Sequence, residues 1–196
     1  MVDLVKAEAL KKINKYKGLI IDNDFDGFYE KVRKECGLYV TVSDITQLFI
    51  DAGVIDDVLQ NLTIIPEAMF YETDIKNINI NNNIIEIGDS AFDSCTELET
   101  IILSDNLKTI GNGAFNYCYS LTSISFPDSL KTIRYRAFDD CKSLSKIDIP
   151  DGVTNIETYA FNNCSKLTSV KIPSRFKSNL KEIFGKNYSK INFTFI

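Results

Sequence analysis

The sequence predicts an α/β solenoid, with a parallel β-sheet along one side, short helices along the other, and a small mostly helical domain in front. Three observations predict it. An apolar pattern recurs every 23 residues through the second half of the chain. Inside each repeat, an Ile-x-Ile alternation carries the two-residue period of a strand. A separate Phe-x-x-Cys-x-x-Leu run carries a three-residue spacing, which suits one or two helical turns with one face inward.

The repeat is clearest from Ile87. That isoleucine returns as Ile110, Ile133 and Ile156, each one period of 23 residues on. Ala91-Phe92 returns as Ala114-Phe115, Ala137-Phe138 and Ala160-Phe161. Cys95 returns as Cys118, Cys141 and Cys164, and Leu98 as Leu121, Leu144 and Leu167. Counting back one period places Ile64, Ala68, Met69, Ile75, Ile78, Ile80 and Ile84 in the apolar columns, with Glu72 at the cysteine position. Counting forward places Phe184, Phe193 and Phe195 on the same grid. Both ends are thus degenerate coils, as expected where a repeat array meets water.

Within a coil, Leu144-Ser145-Lys146-Ile147-Asp148-Ile149-Pro150 illustrates the strand half. Both isoleucines face inward and Asp148 faces out. Proline then ends the strand, because it has no N–H for the ladder; Pro127, Pro150 and Pro173 occupy this place. Each coil therefore reads as strand, turn, short helix.

The pattern I-x-x-x-A-F-x-x-C-x-x-L-x-x-I-x-I-P resembles the BspA-like, or Treponema-type, class of leucine-rich repeat, over roughly residues 64–196. That resemblance implies a leucine-rich-repeat solenoid acting as a binding scaffold. It implies no reaction and no particular ligand. Known members include bacterial surface and adhesion proteins, and this chain shows no export signal of the kind such proteins carry.

The chain divides into a helical N-terminal domain over 1–62 and the solenoid over 63–196. In the first part, Leu4, Ala7, Leu10 and Ile13 suggest an amphipathic helix ending near Gly18, and a second runs from about Phe25 to Cys36. Leu38 to Val42 reads as a strand. Ser43 or Asp44 opens a helix through Ile50 or Ala52, and Ile55 to Leu62 forms another. This domain either caps the array or carries a binding role of its own.

Several signals invite sharper chemistry and fail. Asp22, Asp24, Asp26 and Gly27 open like a calcium loop, but the twelfth position is Arg33, a cation where a carboxylate is required. A stacked cysteine column cannot converge on a tetrahedral zinc site, and its side chains run parallel rather than toward one another. Gly111-Asn112-Gly113 lacks the lysine of a phosphate loop. The chain contains no histidine, which removes the commonest general base and metal ligand. No enzyme, cofactor or metal is expected.

Net charge is −5, which disfavours nucleic acid. From Lys171 onward the balance inverts: Lys171, Arg175, Lys177, Lys181, Lys186 and Lys190 stand against Glu182 alone. That tail reads as a solvated end that is able to touch an acidic partner. No membrane-length apolar run exists, and Met1 to Glu8 lacks a basic segment leading into an apolar one, so a cytoplasmic location is expected.

Function on a solenoid sits in its outward columns. Those of the strand side are mostly small and polar, with few anchors. On the other side Tyr117, Tyr119, Arg134, Tyr135, Arg136 and Tyr159 gather over adjacent coils. Tyrosine and arginine are enriched in interface hot spots, so these six are the candidate partner-binding residues. Shielding of coil edges is the competing role for the tyrosines. The reading is a non-enzymatic protein-binding module using the solenoid surface and the N-terminal domain. A narrower version is a phage or mobile-element inhibitor of a host defence protein; the alternative is a surface adhesin or glycan-binding protein.

Overall fold

The computed structural model describes residues 27, 30, 31, 34, 41–51, 53, 55–60 and 62–196. The expected first helix, the strand at Leu38 to Val42 up to residue 40, the calcium-like loop up to Asp26, and Cys36 lie outside the described residues. Of the expected second helix, residues 27, 30, 31 and 34 are described, and they are helical.

Helix α1 (Val42–Asp51) begins with a reciprocal cap. The Thr41 hydroxyl accepts the Asp44 N–H at 3.1 Å, while the Asp44 carboxylate accepts the Thr41 N–H at 2.7 Å. Its inward face, Ile45 and Phe49, is buried, as are Val58 and Leu59 of α2 (Ile55–Leu59). These side chains belong to the same apolar cluster as the coils, which runs unbroken to Ile191. The Asp74 N–H also donates to the side-chain oxygen of Gln47 at 3.2 Å, tying α1 to the first coil.

Ten short strands follow among the described residues. They are β1 (Ile64–Ile65), β2 (Asn77–Asn79), β3 (Glu86–Ile87), β4 (Thr100–Ile102), β5 (Thr109–Ile110), β6 (Thr132–Ile133), β7 (Lys146–Asp148), β8 (Asn155–Ile156), β9 (Ser169–Ile172) and β10 (Asn192–Phe195). All pairings are parallel. The Ile-x-Ile strands alternate as expected, with Ile147 and Ile149 buried and Asp148 exposed.

The expected single sheet is two ladders. The unbroken one has the order β1-β3-β5-β6-β8 and is made of two-residue strands at the Ile87, Ile110, Ile133 and Ile156 column. The Ile-x-Ile ladder is in two pieces, β2-β4 and β7-β9-β10. Between them Ser123 makes only an isolated bridge to Lys146. The inward residue of that coil is Phe126, larger than Leu103 or Ile149 beside it, and its ring packs edge-on against Phe138 and Phe161.

Two further expectations are corrected. The Phe-x-x-Cys side of the central coils forms no helix. Alternate N–H groups there leave the coil: Ser90, Phe92 and Ser94 donate to Asn112, Ala114 and Asn116 one coil on, while Ala91, Asp93 and Cys95 close local three-residue turns. An α-helix needs every N–H for its own i−4 carbonyl, so the shared ladder excludes it. Only the last coil closes with a helix, α3 (Leu180–Phe184), followed by a 3-10 segment over Gly185–Lys190.

The first coil is also out of step by one residue. Ile65 pairs with Ile87, Phe70 stacks on Phe92, and Thr73 takes the cysteine position, so Ile64, Met69 and Glu72 are not the equivalents of Ile87, Phe92 and Cys95. The step returns to 23 by Asn77, which pairs with Thr100. One residue is missing between Thr73 and Asn77, where the first coil lacks the turn that the next coil makes at Thr96 and Glu97.

Inside, Phe70, Phe92, Phe115, Phe138, Phe161 and Phe184 form one stack with ring centroids 4.6–5.5 Å apart. Beside it each cysteine thiol donates to the phenylalanine carbonyl of the preceding coil: Cys95 to Phe70 at 2.8 Å, Cys118 to Phe92 at 3.2 Å, and Cys141 and Cys164 to Phe115 and Phe138 at 3.1 Å. The column is thus a small apolar filler that also satisfies buried carbonyls. All four thiols are free and buried.

Candidate partner-docking surface

The turn side repeats a backbone that most residues resist. Two columns lie at positive φ: Ser90, Gly113, Arg136 and Tyr159, then Ser94, Tyr117, Asp140 and Asn163, with φ between 51° and 61°. Glycine adopts this conformation freely, as at Gly113; a bulky side chain there costs roughly 1–2 kcal/mol. Tyr117, Arg136 and Tyr159 nevertheless occupy it. The coil-to-coil hydrogen bonds hold the backbone in place, since Tyr117 donates to the Asp139 carbonyl at 3.0 Å and Tyr159 to the Glu182 carbonyl at 2.7 Å.

Those three residues line a cleft of about 570 Å³ that crosses four successive coils. Its first wall is Tyr117. Arg136, Asp139 and Asp140 follow on the next coil, then Tyr159, Asn162 and Asn163, and finally Lys181, Gly185 and Lys186 on the last. Of the other residues expected here, Tyr119 and Tyr135 join through ring contacts. Tyr119 packs edge-on against Tyr117 at 6.0 Å, and Tyr135 lies 6.4 Å from Tyr159. The Arg136 guanidinium sits 5.1 Å from the Tyr135 ring centroid, and the Lys142 ammonium 4.4 Å from that of Tyr119. Arg134 does not join them; it turns toward Asp89 in a loose ion pair at 3.9 Å.

The floor is an amide–carboxylate ladder. Asn162 donates to Asp139 at 2.8 Å and Asn163 to Asp140 at 3.1 Å. Arg136 pairs with Asp139 at 3.5 Å and Lys142 with Asp140 at 3.5 Å. Asp139 is 5% exposed, and burial raises its carboxyl above the ordinary range despite the opposing pull of Asn162 and Arg136. One coil back in the same column, the Asn116 side-chain oxygen is buried without a hydrogen-bond partner. At the far wall, Gly185 (φ +54) lets the last coil close onto Asn162, because a Cβ there would collide with the Asn162 amide.

Sequence reasoning missed the lysine wall and the amide floor. The signal was present: adding the period to Tyr117 gives Asp140, Asn163 and Lys186 in turn, but the degenerate last coil and its basic residues read as a solvated end.

The strand side offers less. Its outward residues satisfy each other, as in Lys146 with Asp148 at 3.4 Å and Thr100 with Asn77, and Ile102 stands alone at 64% exposed. Among the described residues, no group of three acidic, cysteine or histidine side chains is placed to hold a metal, and no helix is long and apolar enough to cross a membrane. The buried thiols are poor nucleophiles: burial pushes Cys95 up to about 12 and the other three upward as well.

The family described as the BspA type leucine rich repeat region matches residues 60–194 in six copies. The chain belongs to that family. Among solved structures it is similar to the T. pallidum leucine rich repeat protein, at 35% identity over 56% of this chain and 52% of that one, with a TM-score of 0.56. A leucine-rich repeat protein from Bacteroides ovatus shows 27% identity over 69% of this chain and 40% of that one, with a TM-score of 0.59. A leucine rich cell surface protein from Faecalibacterium prausnitzii shows 28% identity over 56% and 29%, with a TM-score of 0.53. The chain therefore spans about half the length of the first of these and less of the others. No match was found among curated proteins. Repeats of this class are generally protein-binding or surface-related, and nothing in the relatives points to catalysis.

Proposed function

We propose that this protein is a non-enzymatic protein-binding module whose docking face is the turn side of the last four coils, with the N-terminal domain sharing in recognition. One observation carries the reading. Tyr117, Arg136 and Tyr159 hold left-handed backbone positions, with Gly113 filling the column of the last two, and the two tyrosines are about 40% exposed. Edge shielding does not account for that, since Ser90 and Ser94 close the preceding coil at the same positions with small side chains. Residues kept at a conformational cost on a rigid scaffold, and rich in interface chemistry, suit a contact surface. The narrower role of phage or mobile-element inhibitor has no residue of its own to rest on, so the proposal stops at a protein partner. The proposal places this module in the cytoplasm.

Affinity capture from the native host's lysate tests it, with a Tyr117→Ala/Tyr119→Ala/Tyr135→Ala variant alongside. A stoichiometric protein retained by the wild type and lost by the variant is expected. Equal retention by both would move the face elsewhere, and no enriched protein would overturn the reading. The second reading, an adhesin or glycan binder, draws on the similarity to a protein described as a cell surface protein. Cell fractionation separates the two, because only the second requires the chain outside the cytoplasm.

A further inference from the structure

We infer that the cleft between Tyr117 and Lys186 receives an extended acidic peptide segment of the protein partner, its carboxylates meeting Lys181 and Lys186. The inference rests on the turn side being a protein-docking face and adds what that face selects.

Charge is the first argument. The cleft holds five ionisable walls besides its tyrosines, and three of them are already committed. Arg136 pairs with Asp139, and Asp140 pairs with Lys142 just outside. Lys181 and Lys186 are exposed and make no ion pair among the described residues. The free charge of the cleft is therefore positive, in a chain whose net charge is −5. An anion is the complement, and the acidic body around it sets a repulsive background that only a local match overcomes.

Shape is the second. The cleft crosses three coil steps of 5.0–5.5 Å each, as the phenylalanine stack beneath it measures. That roughly 15 Å matches four or five residues of extended chain at about 3.3–3.6 Å each.

Hydrogen-bonding capacity is the third, and it sets a peptide apart from a sugar. A saccharide needs free donor and acceptor groups for its hydroxyls and a flat ring face on which to stack. Here the Asn162 and Asn163 amides are spent on Asp139 and Asp140. The tyrosine rings meet at 60° in both pairs, so neither pair makes a flat platform. What remains open is cationic charge and aromatic edge, which suits acidic and apolar peptide side chains.

The test is fluorescence anisotropy on the full chain with labelled hexaglutamate, against hexaglutamine and hexagalacturonate, at low and at high salt. Two variants of equal net charge are compared: Lys181→Ala/Lys186→Ala in the cleft, and Lys171→Ala/Lys190→Ala outside it. All four lysines are exposed, so both variants should fold. The expected result is hexaglutamate binding that hexaglutamine lacks, weakened by salt and about tenfold or more by the cleft variant alone. Equal weakening by both variants would reduce the effect to diffuse charge and overturn the inference. So would hexagalacturonate binding in place of hexaglutamate, or no hexaglutamate binding at low salt. A partner captured through the tyrosines while hexaglutamate fails would sink the acidic specificity and leave the docking face standing. Failed capture with hexaglutamate bound in the cleft would instead count against the docking reading.

Discussion

The inner and outer columns of the turn side share one backbone and obey different rules. Inward, Phe92, Phe115, Phe138 and Phe161 repeat without variation, and so do the four cysteines beside them. Outward, the same turns carry Ser90 and Ser94 on one coil, Gly113 and Tyr117 on the next, then Arg136 and Asp140, then Tyr159 and Asn163. The difference teaches where selection acts on each position. A packed stack tolerates one residue type because every coil sees the same neighbours. The outward positions see solvent, so their changes from coil to coil are free to encode a partner.

The comparison breaks if the inner stack is not what holds the coils together. Phe138→Ala removes a ring stacked at 5.0 and 5.1 Å on both sides and leaves a buried void. A loss of about 3–5 kcal/mol is expected from chemical denaturation. A loss below ~1 kcal/mol would mean that the backbone ladders alone carry the array.

The cysteine column gives a smaller effect and a pH signature. Cys141→Ala forfeits the thiol bond to the Phe115 carbonyl and a sulfur's worth of packing, for about 1–2 kcal/mol. Burial raises the thiols above their ordinary value of 9.0, so the folded state holds protons that the unfolded chain releases. Their contribution is present in full below that value and fades as pH rises through it toward the folded value. Denaturant midpoints should therefore be level to about pH 8 and fall above pH 9, with the fall shallower in Cys141→Ala.

Asp139, buried beneath the outward positions, sharpens the contrast. Its carboxyl is raised by burial, so its stabilising effect is greatest in acid and is lost as pH climbs above the ordinary carboxylate range. Asp139→Asn keeps an oxygen for Asn162 and removes a charge that burial disfavours, at the cost of a half-exposed pair with Arg136. A gain of about 1 kcal/mol at neutral pH is expected, vanishing as the pH is lowered.

Tyr117→Gly and Tyr159→Gly should move stability least. Each relieves a left-handed side chain while adding freedom to the unfolded chain, for a net change within about 1 kcal/mol. Partner capture should nonetheless be lost. Stability and binding that fall together would place these tyrosines in the structural half of the comparison.

How much of this was legible in the sequence follows the same division. The period, the inward Phe, Cys and Leu columns and the alternation of Ile147, Asp148 and Ile149 could be read directly, because packing imposes them on every coil. The first coil could not be placed to the residue, since Thr73 substitutes for cysteine through its own hydroxyl bond to the Phe70 carbonyl. The absent helices were hidden because a spacing of three residues is shared by a helix and by a series of turns whose alternate N–H groups serve the next coil. Of the six expected contact residues, Tyr117, Arg136 and Tyr159 line the cleft, and Tyr119 and Tyr135 lie beside them. Arg134 lies apart from them because it turns toward Asp89, about two periods back in sequence. The lysine wall was missed because nothing in a solvated-looking tail says that α3 and Gly185 fold it back over Asn162.

The central claim is that partners dock on the turn side rather than on the strands. Hydrogen exchange measured by mass spectrometry, on the chain alone and with its captured partner bound, tests this most directly. The account predicts new protection over residues 112–120, 134–142 and 158–164, with the strand segments 100–102, 123–125 and 146–148 unchanged. Protection confined to those strand segments would contradict it.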